Sequence, residues 1–357
     1  MRLTSTTAVL VNLLSNAPDW SVLHDRETWG RIAEESVEQG VAPAIAFLVR
    51  SHVAPGEQRD WCDRTLTNSW KRHDASLQRL AKITGLLADA GIRTLALKGP
   101  LLARRHYTPY FLRKPPLDLD LAVNPADLAR AVELLEGEGY TLPTAVRHAV
   151  RTSHHVVLMH PKRPAVELHF RLSHGVGGIP VEEFFERAIP YQIPAGPSTW
   201  VLDPADELFH LILHLVHDRF ATLFHSWEIR RIWRAAPDEV RREVIKKAVE
   251  HRFSGVLTLV DIAQRTLWGE PLLPPGIGLP RTWLQGRLNE RLFRQMSDTA
   301  RPEGGDTLAT RLRGRWLELQ TTDGPSDALR RLAGILYIGW RQGLQGNWRT
   351  GRIPHQS

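Results

Sequence analysis

Three short segments set acids, a lysine and a histidine at spacings that could do chemistry. Asp118-Leu119-Asp120 lies in the apolar run Leu117 to Val123, Glu167-Leu168-His169 lies in Ala165 to Arg171, and Lys98-Gly99 closes Leu95-Ala96-Leu97. In an extended chain residues i and i+2 point to one face, so Asp118 shares a face with Asp120, and Glu167 with His169 and Arg171. Two carboxylates held that close repel each other unless a cation neutralises them. A divalent ion is the natural cation. Carboxylate oxygens suit Mg2+, with Mn2+ the alternative.

Around these residues the chain supplies groups for an anion. Lys98 and Gly99 fall where a strand turns into a helix, so backbone N–H groups and the positive helix end could receive phosphates, and Lys98 adds a point charge. Arg113 offers paired donors suited to phosphate oxygens. His169 and Arg171 are placed to position an acceptor or a metal-bound water.

The elements that hold these residues read as follows. Residues 1–90 are helical, with amphipathic spacing at 29–37 and 77–87, and the second of these helices stops at Gly91. Then come a strand over 92–97, a helix over 100–107 with Pro100 in its first turn, and a strand over 117–123. A helix follows Asn124-Pro125 to about Glu136, and Tyr140-Thr141-Leu142 starts another strand. A hairpin joins 155–160 to 165–171 across Pro161-Lys162-Arg163-Pro164. From about 181 the pattern is helical again, over 205–218, 225–235, 238–250, 255–268 and 329–341. The expected organisation is α+β: a helical region 1–90, a small mixed-sheet core 91–178, and a helical domain 179–357.

Taken in order, Leu97-Lys98-Gly99, Arg113, Asp118-x-Asp120 and Glu167-x-His169 resemble the nucleotidyltransferase superfamily with the DNA polymerase beta-like fold, and more closely its uncharacterised bacterial members. The resemblance covers about residues 75–175. It implies transfer of a nucleotidyl group from an NTP, ATP foremost, to a hydroxyl or phosphate of an acceptor, with Asp118, Asp120 and Glu167 as metal-binding catalytic acids. Lys98, Gly99, Arg113, His169 and Arg171 would then contact phosphate or acceptor. The acceptor is open among a peptide or small natural product, an antibiotic and RNA. Two features depart from the superfamily pattern: Pro100 stands where a serine is usual, and Glu167 replaces an aspartate. They motivate a second reading, a nucleotide-binding or partner-binding protein of the same fold without turnover.

Composition narrows the remaining choices. Of 357 residues 42% are hydrophobic and 24% charged, an ordinary soluble balance. Cys62 is the only cysteine, which excludes an internal disulfide or thiolate cluster and fits a cytoplasmic setting. The apolar stretch at 9–14 is too short to span a bilayer. A net charge of +7 favours polyanions and leaves a third reading, a basic nucleic-acid-binding protein with the Trp-Arg tail at 340–352. Arginine-rich composition is the more economical source of that charge, and a solvated tail the plainer account. His210, His214 and His217 share a helical face at i, i+4 and i+7, but without a His-Glu-x-x-His pattern they read as packing residues, as do His154-His155 and the twelve tryptophans.

Overall fold

The computed structural model describes residues 4–142, 154–172, 179–275 and 288–300, with positions 277 and 279 and short stretches between 316 and 333. The helix expected over 329–341 lies almost wholly outside the described residues, and the Trp-Arg tail entirely so.

Four helices lead: α1 (Ser5–Leu13), α2 (Arg26–Glu38), α3 (Ala42–Val49) and the long α4 (Glu57–Asp89). At 33 residues, α4 runs about 50 Å. It ends where expected, Gly91 adopting a left-handed φ of +75° while Ile92 N–H donates to Leu87 O at 2.9 Å. Next come β1 (Thr94–Ala96), α5 (Gly99–His106), β2 (Asp118–Val123), α6 (Leu128–Gly137) and the hairpin β3 (His155–His160)/β4 (Arg163–His169). The strand expected to start at Tyr140-Thr141-Leu142 is described that far, where Thr141 bridges to Met159, and its continuation lies outside the described residues.

Beyond the hairpin lie α7 (Glu182–Arg187), β5 (Ile189–Gln192) and β6 (Ser198–Val201). These two strands fall inside the stretch expected to be helical. Each is four residues long, and Pro194 to Pro197 separate them, so neither carries a periodic run long enough to register. Pro190 is tolerated because β5 is an edge strand. Helices α8 (Pro204–His217), α9 (Leu223–Ala235), α10 (Asp238–Glu250), α11 (Ser254–Trp268) and α12 (Glu290–Ala300) follow.

The six strands form one mixed sheet in the order β3-β4-β2-β1-β6-β5. β2 pairs parallel with β4, placing Asp120 opposite Glu167, and antiparallel with β1. Alternation then sorts the side chains. Leu119, Leu121 and Val123 of β2 and Val166 and Leu168 of β4 pack in one cluster with Leu80, Ile83 and Leu87 of α4 and Leu128 and Leu135 of α6. The residues between them must face the other way. On that side a larger apolar cluster joins helices from both ends of the chain, Leu10, Ile32 and Ile45 packing with Phe209, Leu257 and Met296. Gln39 fastens the two ends together, its Oε1 accepting from Leu223 N–H at 2.9 Å.

Candidate active site

The face of the sheet turned away from α4 and α6 opens into a cavity of about 260 Å³ between β2, β4 and helices α8 and α9. Asp118, Asp120 and Glu167 line it from the sheet, Lys98 and Gly99 from the β1–α5 turn, and His214, His225 and Glu228 from the helices. The parallel register of β2 and β4 brings the acids onto one face, as alternation required.

The β1–α5 turn is built for its position. Gly99 has φ +71°, a conformation costly to any side chain, while the nearest heavy atom to an added Cβ, Pro116 Cβ, would be 3.9 Å away. The glycine is therefore needed for backbone conformation and not for space. Pro100 occupies the first turn of α5, where its missing N–H removes no intrahelical bond. That turn carries Lys98 to Asp120, Nζ to Oδ1 at 3.0 Å.

His169 Nε2 lies 3.2 Å from the same Asp120 oxygen and 3.4 Å from Glu167 Oε2. Lys98 and His169 thus both sit against the acid pair. Burial alone would raise the Asp120 carboxyl, but Lys98 and His169 hold it well below the usual range. Burial, the largest influence on Glu167, likewise opposes its ionisation, but the His169 hydrogen bond together with the nearby His155 and His169 rings brings the carboxyl below its usual range. His169 responds in the opposite sense: burial lowers it, and Asp120 and Glu167 raise it past the ordinary imidazole value. Lys98 stays charged because Asp120, Asp118 and Glu167 offset its burial. Asp118 is the exception, pushed up to about 7 by burial and then by the neighbouring charges of Asp120 and Glu167.

Two residues do not take the places expected of them. Arg113 reaches the cavity wall, but its fork is occupied: Nε donates to Glu228 Oε1 at 2.7 Å and Nη2 to Oε2 at 3.1 Å. Tyr107 Oη donates to the same Oε1 at 3.0 Å. Glu228 is a buried counter-charge supplied by α9, 115 positions away, so Arg113 ties the strand segment to the helices and spends the Nε/Nη2 edge of its guanidinium on Glu228. Arg171 is not among the residues lining the cavity, and its guanidinium lies 6.0 Å from the centre of the Phe170 ring. Lys114, Asp218 and His225 also line the cavity, and none of them belongs to the acid, lysine and histidine segments that stand out in the sequence. The spacing of four from His214 to Asp218 on one helix is the signal the sequence carries for that pair.

Asp120, Glu167 and His169 each offer a ligand atom, all within 4.8 Å of one another. Hard carboxylate oxygens on one buried face, with Asp118 two residues along the same strand, fit a magnesium-type ion. The family model described as uncharacterised nucleotidyltransferase matches residues 25–264, more than half the chain. The chain belongs to that family. No curated protein matches it. The nucleotidyltransferase match spans α2 to α11 and so takes in the sheet, the acids and the helical wall opposite them. Nucleotidyl transfer is accordingly the general chemistry of this nucleotidyltransferase, and its fold is α+β, a six-stranded mixed sheet flanked by helices. Among its described residues no helix is long and apolar enough to cross a membrane.

Proposed function

We propose that this nucleotidyltransferase moves a nucleotidyl group from an NTP, ATP foremost, to a hydroxyl or phosphate of a small-molecule or peptide acceptor, with Mg2+ required. The observation that carries the reading is the acid pair Asp120–Glu167, set opposite each other in parallel register and met by Lys98 at 3.0 Å. Asp118, Asp120 and Glu167 would hold the metal, which when bound offsets the negative charge that builds on the phosphoryl oxygens and the pyrophosphate leaving group.

The chain's own residues perform the rest. Lys98 stays charged and exchanges its contact with Asp120 for a phosphate oxygen, while the N-terminal turn of α5 presents N–H groups to the same anion. Glu167 accepts the proton of the acceptor hydroxyl, and His169 orients that carboxylate through its 3.4 Å contact. Arg113, locked to Glu228, fixes the wall without touching the nucleotide.

The test uses α-labelled NTPs, Mg2+ and fractions of candidate acceptors: peptides, hydroxylated natural products, aminoglycoside-type antibiotics and RNA. Label should pass to one acceptor class, and transfer should vanish in Asp120→Asn and in Glu167→Gln. Unchanged transfer in both variants would sink the assignment. Magnesium-dependent NTP binding with no transfer to any class would support the alternative reading of a nucleotide-binding protein without turnover, which Lys98 and His169 already seated on Asp120 favour.

A further inference from the structure

The cavity has a second wall, and it carries a different set of donors. His214 lies in the last turn of α8, Asp218 caps that helix, and His225 stands in the first turn of α9. The reversal between the helices, with Arg219 and Phe220 at φ +53° and +55°, folds α9 back beside α8. As a result one ligand atom from each of the three residues lies within 4.8 Å of the others. His214 Nδ1 is 3.1 Å from Asp218 Oδ2, and the His214 and His225 ring centres are 5.4 Å apart.

We infer that His214, Asp218 and His225 form a binding site for a divalent transition-metal ion, with Zn2+ the ion that two imidazoles and one carboxylate suit. The donor set separates it from the all-carboxylate preference of Mg2+. Its spacing is also apt: donors bonded to a tetrahedral zinc at about 2.0–2.1 Å stand roughly 3.3 Å apart, close to the His214–Asp218 separation. The ion would sit between His214 Nδ1 and Asp218 Oδ2, which already stand 3.1 Å apart. Thr222 Oγ1, 3.3 Å from His225 Nδ1, orients that ring and leaves Nε2 as its ligating nitrogen. Burial, aided by Lys98 near His214 and by Lys114 near His225, keeps both imidazoles well below their usual range, in the neutral form that ligates. All three residues line the cavity, so three protein ligands leave a fourth position turned towards it. That position faces the acids across the cavity and is placed to take an oxygen of the acceptor.

The inference does not depend on nucleotidyl transfer, and its test contains no NTP. Full-length protein is stripped with a chelator, equilibrated with Zn2+ in excess Mg2+, and its bound zinc counted; Co2+ is then substituted and its d–d absorption recorded. Wild type and Glu167→Gln should each retain a zinc equivalent that His225→Ala and the milder His225→Gln lose. The cobalt band should disappear with it. Thr222→Val should bind about tenfold more weakly, the usual cost of losing an outer partner of a ligand. A wild type that holds no zinc in excess Mg2+ would overturn the inference. So would an equivalent that survives both His225 variants and vanishes in Asp120→Asn or His155→Ala.

Discussion

At the scale of single residues, the site is a balance of charges. Asp120 is held below the usual carboxylate range against its burial by Lys98 and His169, and Glu167 by the His169 hydrogen bond with the nearby His155 and His169 rings. Asp118 does not share that protection and rises from an ordinary 3.8 to about 7. Between those values the folded chain binds more protons at Asp118 than the unfolded chain does, so this group's contribution to stability falls as pH rises from about 4 to 7. Asp118→Asn removes the effect. In chelator at pH 8 the variant should melt higher than wild type, by about 1–2 °C for each kcal/mol relieved, and show no gain at pH 4. Scanning calorimetry at the two pH values decides this, and equal midpoints at both would contradict it. Lys98→Met should weaken NTP binding about 10- to 100-fold by calorimetry, the loss expected when a charged hydrogen-bond partner is removed.

Much of this residue-scale picture was legible in the sequence, because a period of two forces Asp118 and Asp120, and Glu167 and His169, onto single faces. Arg113 was not, since the partner that claims it comes from a helix 115 positions later. His225 escaped for the same reason. Its role depends on how α9 returns against α8, which no local pattern encodes.

At the scale of elements, the acids are useful only because β2 and β4 pair in parallel with Asp120 facing Glu167. A one-residue slip would turn the acids into the apolar cluster with α4 and α6, so the leucines and valines between them lock the register. The turn before α5 has a similar constraint. Gly99→Ala must hold φ +71° with a Cβ present, at a cost of about 1–2 kcal/mol, and should lower thermal stability and raise KM for NTP together. A variant that keeps both would show that the turn does not position Lys98. The hairpin, α5, α6 and the four helices α8 to α11 were all readable from hydrophobic period and capping residues. β5 and β6 were not, because four-residue strands gain their identity from pairing with β1 and with each other.

At the scale of the whole molecule, helices from both ends of the chain close over the sheet's functional face, and buried ion pairs join them to it. Arg113–Glu228 is the most enclosed of these at the cavity, with 7% and 1% of the side chains exposed. Glu228→Gln leaves a buried guanidinium without its counter-charge and should cost about 3–5 kcal/mol in chemical denaturation. Adding Arg113→Met should restore much of that, and a double variant no more stable than Glu228→Gln would refute the pairing as the cause. The net charge of +7 favours an anionic substrate reaching this cavity.

The central claim is that the acids of β2 and β4, with Lys98, form one nucleotide-binding metal centre. Its most direct test is a crystal of the full chain soaked with Mn2+ and a non-hydrolysable NTP, with anomalous scattering locating the ion. The account predicts a peak bonded to Asp120 and Glu167 or Asp118, with a phosphate oxygen on Lys98 Nζ. Nucleotide bound away from Lys98, or an ion with none of these three carboxylates as a ligand, would contradict it.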